Sequence, residues 1–304
     1  MSVADLMAEE GRTQEEIEKT LSTSGVSRLS VERDRNFAAF THDALNVVLQ
    51  RAGGELDAMD GIIVVSQTFN RRIPAISPQI KEQIGASSSA FCIDVMDGCN
   101  GFIKAVAIAK MLERNGARRI LVVAGDMNSS ITHDSALSTR ILFGDGLGIS
   151  VFENDDTDAD WEIFSQGDSK SVISCQTFAG PLVMNGFEVF RFTRSVVSPM
   201  VLRYLRSRNL QITDFDLVGL HQASKLVVET MAETLGVSDC QGRRFTAGEY
   251  GNIGAGSIQG WLAEVMSNVS SDDLRMLAVG FGAGLSWGLS SFCVKLRDGG
   301  QFNA

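Results

Sequence analysis

Two periods alternate along the 304-residue chain. Apolar positions three and four apart predict helices over residues 14–21 and 37–52, and short apolar runs predict strands over residues 61–66, 119–124 and 148–152. Between the first two strands, residues 90–106 begin with strand character and turn helical past Asp97 and Gly98. The acidic stretch 153–160 reads as a connector. Beyond it the series repeats: helices over 195–207, 224–235 and 255–267, a strand running into His221, and strands over 276–280 and 288–294. The closing strands look alike, Gly146-Leu147-Gly148-Ile149-Ser150-Val151-Phe152 against Gly288-Leu289-Ser290-Ser291-Phe292. Helices alternating with strands, stated twice, predict a duplicated α/β protein of layered sheets, with halves over residues 1–160 and 161–304.

Chemistry gathers where strands give way to helices. Cys99 sits at such a junction, where the unpaired N–H groups and positive end of a helix favour thiolate over thiol. Taken alone it reads equally as a buried structural cysteine, since free Cys is among the most buried residue types. His221 closes the strand-like run Leu217-Val218-Gly219-Leu220, and Asn252 stands among small residues ahead of the helix over 255–267. Histidine exchanges protons near neutrality and an asparagine amide donates to a developing oxyanion, so the three residues together suit thiol-based acyl chemistry. Singly, His221 reads as an end-of-strand histidine and Asn252 as a turn residue.

Composition narrows the classes. No apolar run reaches the roughly 18 residues of a membrane span, and a formal charge of −10 argues against generic nucleic-acid binding. Five cysteines without metal-type or disulfide-framework spacing fit a reducing cytoplasm, and three scattered histidines make no metal site.

At this point the chain resembles the type III beta-ketoacyl-acyl-carrier-protein synthases of the thiolase superfamily. The matching pieces are Asp97-Gly98-Cys99-Asn100-Gly101-Phe102, Ile141-Leu142-Phe143-Gly144-Asp145-Gly146-Leu147-Gly148, Leu220-His221-Gln222-Ala223, Gly251-Asn252 and Phe281-Gly282-Ala283-Gly284-Leu285-Ser286-Trp287-Gly288. They occur in the family's order, over about Ser2 to Leu296. The resemblance implies a five-layer α-β-α-β-α thiolase-like fold, with the halves meeting at the active site. It implies that Cys99 carries an acyl thioester, that His221 and Asn252 bind the carbonyl of a malonyl thioester through its decarboxylation, and that the backbone N–H groups of Cys99 and Ala283 form the oxyanion hole. Leu142, Phe143 and Phe281 would line the acyl pocket, Phe187 would stand at a pantetheine contact, and Ile73 would close the pocket of a neighbouring subunit in a homodimer. Ile in place of an aromatic there leaves room for an acyl group of medium length. Acyl thioesters on coenzyme A or on acyl carrier protein are the implied substrates, with no cofactor. Two rival readings on the same motifs are an acyltransferase that forms an ester or amide, and a non-catalytic partner subunit of a heteromeric synthase.

Two departures from the family pattern change the expectations. Relatives begin with a strand ahead of the segment matching Val3-Ala4-Asp5-Leu6, so a central strand of the first sheet is expected to be missing. The tryptophan, two arginines and asparagine that hold coenzyme A in relatives have no counterpart near Lys19, Thr23, Leu137 and Phe187, although Arg140 is close to one of these places. Donors presented on a carrier protein are expected instead, with Arg71 and Arg72, or Arg243 and Arg244, supplying the attraction.

Overall fold

The computed structural model describes residues 1–33, 36–52, 56–154, 159–167, 171–178, 180–266 and 273–295. The first half runs α1 (Val3–Glu9), α2 (Gln14–Ser24), α3 (Phe37–Ala52), β1 (Gly61–Val65), α4 (Ser77–Gln83), β2 (Phe91–Val95), α5 (Gly101–Arg114), β3 (Arg119–Met127), the single turns α6 (Ser129–Thr132) and α7 (Leu137–Arg140), and β4 (Asp145–Glu153). The second half runs β5 (Asp160–Ser165), the two-residue strands β6 (Ile173–Ser174) and β7 (Val183–Met184), α8 (Gly186–Phe192), α9 (Ser198–Ser207), β8 (Leu217–Leu220), α10 (Lys225–Leu235), α11 (Ser257–Met266), β9 (Leu274–Gly282) and β10 (Ser286–Val294).

Local chemistry sets several of these boundaries. Helix α2 starts in a capping box, in which Thr13 Oγ1 accepts from Glu16 N–H while the Glu16 carboxylate accepts from Thr13 N–H, and it stops at left-handed Gly25. The helix expected over 195–207 begins earlier, at Gly186, and passes from α8 to α9 through a π turn, Thr193–Val197. Pro199 lacks the N–H that would bond one turn back, and the wider turn absorbs the break. Of the connector expected over 153–160, Glu153 belongs to β4 and Asp160 to β5, while residues 155–158 lie outside the described residues. Residue 267, the expected end of a helix, lies outside them as well.

The period of two along the strands builds the layers. The first sheet has the order β2-β1-β3-β4, with β1 parallel to β2 and β3, and β4 antiparallel. Ile62, Val64, Leu121 and Val123 face outward onto α3 and α4, whereas Ile63, Val65, Ile120, Val122 and Ala124 face α5 and α11. The second sheet, β5-β10-β9-β8, repeats the division. Met276 and Ala278 join the same central cluster, and Leu277, Val279 and Leu289 pack beneath α9 and α10. The result is five layers, α-β-α-β-α, with α5 and α11 in the middle and buried against both sheets. The two look-alike closing strands meet there: the Phe152 and Phe292 ring centroids lie 5.9 Å apart, each 6.4 Å from Phe102.

The central gap expected in the first sheet is not found among the described residues. Strands of the first sheet pair without interruption, and among the described residues it is the outer edge of β4 that lacks the neighbour β5 gives to β10. An edge position leaves backbone groups facing outward, where a central gap would strand them inside the core. Helices α1 and α2 lean on both halves: Val3, Leu6, Ile17 and Leu29 cluster with Ile141, and with Leu142 and Phe245 at the margin.

Candidate active site

The C-terminal ends of the parallel strands converge at the junction of the two halves, the place where open α/β sheets hold ligands. Past the end of β2 the chain delivers Cys99 two residues ahead of α5, half-buried. Gly282, at the end of β9, lies against it so closely that a Cβ there would stand 2.9 Å from Cys99 Cβ. Ala283, the expected second oxyanion donor, follows Gly282 in the β9–β10 turn. Past the end of β8, His221 is buried at 2% exposure, its N–H bonded to Val279 O and its ring edge-on to Phe281, with centroids 5.1 Å apart.

Asn252 arrives from the other side of the junction. Its backbone is pinned to the first half: Asn252 N–H donates to Leu142 O, and its carbonyl accepts from Gly144 N–H and Asn128 Nδ2. Its side-chain oxygen accepts from Gly254 N–H and Ser257 Oγ, both at 2.9 Å. With Oδ1 spent on the turn that opens α11, Nδ2 is the end left to act on Cys99, whose thiol the Asn252 side chain draws downward. Cys99, His221 and Asn252 therefore meet at one site.

Electrostatics at the site correct one expectation. The position ahead of α5 was expected to favour a thiolate, but desolvation, followed by the charge of Asp126, pushes the Cys99 thiol up to about 12; the Asn252 hydrogen bond opposes this and Asp97 adds to it. The resting nucleophile is a thiol. Asp97 is itself ion-paired with Lys104. Burial also lowers His221 to about 3, so its imidazole is neutral throughout the physiological range, and Nδ1 has no hydrogen-bond partner.

The expected pocket residues divide. Phe143 pairs with Asn252 in an isolated parallel bridge, Leu142 accepts from it, and Phe281 flanks His221. Phe187 on α8 and Ile73 in the loop after β1 stand at the surface, 73% and 85% exposed. The expected basic pairs are engaged: Arg71 donates to Ala75 O, Arg72 lies over the Phe178 ring, Arg243 pairs with Glu233, and Arg244 donates to Glu264 O. Arg140 is held by Glu10 at 2.8 Å. A cleft of about 890 Å³ opens beside the site between the end of α2 and α10, lined by Leu21, Lys225, Arg244, Phe245 and Thr246 among others. Thr246 N–H donates to the side chain of Gln222, the residue after His221. Asp126 was missed in the sequence. Its signal is a carboxylate inside the otherwise apolar run of β3, 2% exposed, where a lone charge needs a reason.

Comparison with known proteins agrees with the geometry. The sequence matches the family model for 3-oxoacyl-[acyl-carrier-protein] synthase III over residues 93–167 and the model for the C-terminal part of the same enzyme over residues 205–292. It is 30% identical over 286 residues to a beta-ketoacyl-[acyl-carrier-protein] synthase III of Staphylococcus aureus, covering 89% of this chain and 90% of that one. Crystal structures of 3-oxoacyl-(acyl carrier protein) synthase III from Pseudomonas aeruginosa and of the corresponding enzyme from Thermus thermophilus superpose with a TM-score of 0.84 each, at 26% and 27% identity. They cover 96% of this chain, and it covers 93% and 94% of theirs. The priming beta-ketosynthase of the R1128 polyketide pathway superposes with a TM-score of 0.79 at 25% identity, covering 91% of this chain and 88% of its own. Matched motifs, a five-layer core and a Cys99–His221–Asn252 junction thus lead to one assignment: this chain belongs to the beta-ketoacyl-[acyl-carrier-protein] synthase III family of condensing enzymes.

Proposed function

We propose that this enzyme works in two half-reactions divided among the residues of the junction. In the first, Cys99 Sγ attacks the carbonyl of an acyl thioester, the oxyanion is held by the N–H groups of Cys99 and Ala283, and the donor leaves as a free thiol. In the second, the thioester carbonyl of a malonyl donor lies between His221 and Asn252 Nδ2. Carbon dioxide departs, the enolate is stabilised by those donors, and its carbon attacks the acyl group on Cys99. A neutral imidazole suits this role, because it polarises a carbonyl without giving up its proton.

The observation that carries the reading is the tethering of Asn252 Oδ1 by Gly254 and Ser257, which leaves Nδ2 as the end of the amide that can donate to a substrate carbonyl. The same geometry weighs against transfer to an alcohol or amine. A heteroatom acceptor needs a general base oriented by a third group, and His221 Nδ1 has none.

The donor is an acyl group of medium length on a carrier protein, in fatty-acid or secondary-metabolite synthesis. This is supported by the absence of tryptophan and arginine from residues 15–26 and by the commitment of Arg140 to Glu10. Two copies pair along the open edge of β2, where Phe91 and the following Met96 are exposed, and bring Ile73 to the neighbour's pocket. The five free cysteines suit a reducing cytoplasm. Incubation with an acyl thioester and malonyl carrier protein is expected to release carbon dioxide and yield a beta-ketoacyl thioester two carbons longer. An ester or amide product in its place would overturn the reading.

A further inference from the structure

Asp126, buried at the end of β3, is a carboxyl group that the two half-reactions leave without a task. Its oxygens gather donors from both halves. Oδ1 accepts from Ser66 Oγ and Gln67 N–H, both at 2.7 Å, and from Thr68 Oγ1 at 3.3 Å, all at the end of β1. Oδ2 accepts from Ala255 N–H at 2.9 Å, in the 3-10 turn Gly254–Gly256 that joins Asn252 to α11. Burial raises the Asp126 carboxyl above its usual range, and the two backbone N–H groups and two hydroxyls that converge on it oppose that shift. Gly254, at φ +60°, packs so tightly on Oδ2 that a Cβ there would overlap it.

The same turn orients Asn252, because Gly254 N–H is one of the two donors that fix Asn252 Oδ1. We propose that Asp126 is a positioning residue: its carboxyl group clamps the Gly254–Gly256 turn to the end of β1 and so aims Asn252 at the reacting thioester. The proposal rests on the condensation reading above.

Asp126→Asn keeps the shape and removes the matched acceptor set. It is expected to lower malonyl decarboxylation about 10-fold or more while acylation of Cys99 from an acyl thioester falls less than about threefold. Gly254→Ala strains the same clamp from the opposite side with the carboxyl group retained, and is expected to show the same split between half-reactions, so the test survives if Asp126→Asn folds poorly. Parallel loss of both half-reactions, or decarboxylation within about threefold of the parent in the folded variants, overturns the proposal. A parent enzyme that leaves malonyl donors intact refutes the condensation reading, and the proposal with it.

Discussion

In the first half β1 runs into Ser66, whose hydroxyl is spent on Asp126; in the second half the matching strand β8 runs into His221, whose Nδ1 is unpartnered. The correspondence continues along the chain. β1, β3 and β4 pair as β8, β9 and β10 do, and the central helices α5 and α11 follow Cys99 in one half and Asn252 in the other. Duplicated backbone thus places two equivalent sets of strand ends face to face, and substitution has given them different work. On the proposed mechanism the first half supplies the nucleophile, and the second supplies the neutral donors for decarboxylation. Edges diverge as well, since among the described residues the first sheet carries β2 and lacks a neighbour on β4, and the second carries β5.

Removing the nucleophile breaks this division most severely. Cys99→Ser is expected to cut product formation by roughly 10⁴-fold or more, because a hydroxyl without an oriented base is a far weaker nucleophile. The check is turnover of acyl thioester and malonyl donor by a variant shown to be folded. An acyl adduct mapped to Cys92, Cys175, Cys240 or Cys293 in the parent would move the nucleophile elsewhere.

Truncating the second half's contribution should be milder and selective. His221→Ala and Asn252→Ala are expected to lose decarboxylation by roughly 10²–10³-fold, the scale of an oxyanion donor, with acylation of Cys99 still measurable. A variant that decarboxylates normally but no longer acylates would reverse the assignment.

The donor site offers a smaller effect. At matched chain length, acyl carrier protein is expected to acylate Cys99 at least about 10-fold more efficiently than acyl-coenzyme A. Saturation by acyl-coenzyme A in the low micromolar range would show that the cleft beside α2 and α10 holds the nucleotide by other contacts.

The smallest test reads charge alone. With the Cys99 thiol pushed up to about 12, the alkylation rate should climb with pH from about 6 to about 10 without a plateau, because the thiolate fraction grows tenfold per unit below the pKa. A plateau near neutrality would mean a resting thiolate.

Much of this was legible in the sequence where one face of an element meets one environment. Helix 37–52 matches α3 end to end, and the apolar runs at 61–66 and 119–124 became β1 and most of β3, because their side chains are buried on both faces between helix layers. The three site residues were legible because each sits where a strand-like or glycine-rich segment turns into a helix. What stayed hidden depends on distant partners. Strand β5 was read as a connector plus featureless chain, since its half-buried residues gain their order only by pairing with β10. The helix start at Gly186 was masked by the π turn. The raised pKa of the Cys99 thiol comes first from burial by the second half of the chain, which no local pattern around Cys99 shows.

Intact-protein mass spectrometry of the parent, offered an acyl thioester and then a malonyl donor, tests the division of labour most directly. The account predicts a single acyl adduct on Cys99 after the first addition and its disappearance after the second, with the adduct persisting after the second addition in Asn252→Ala. Parent enzyme that never acquires the adduct, or that loses it in Asn252→Ala as fast as in the parent, would contradict it.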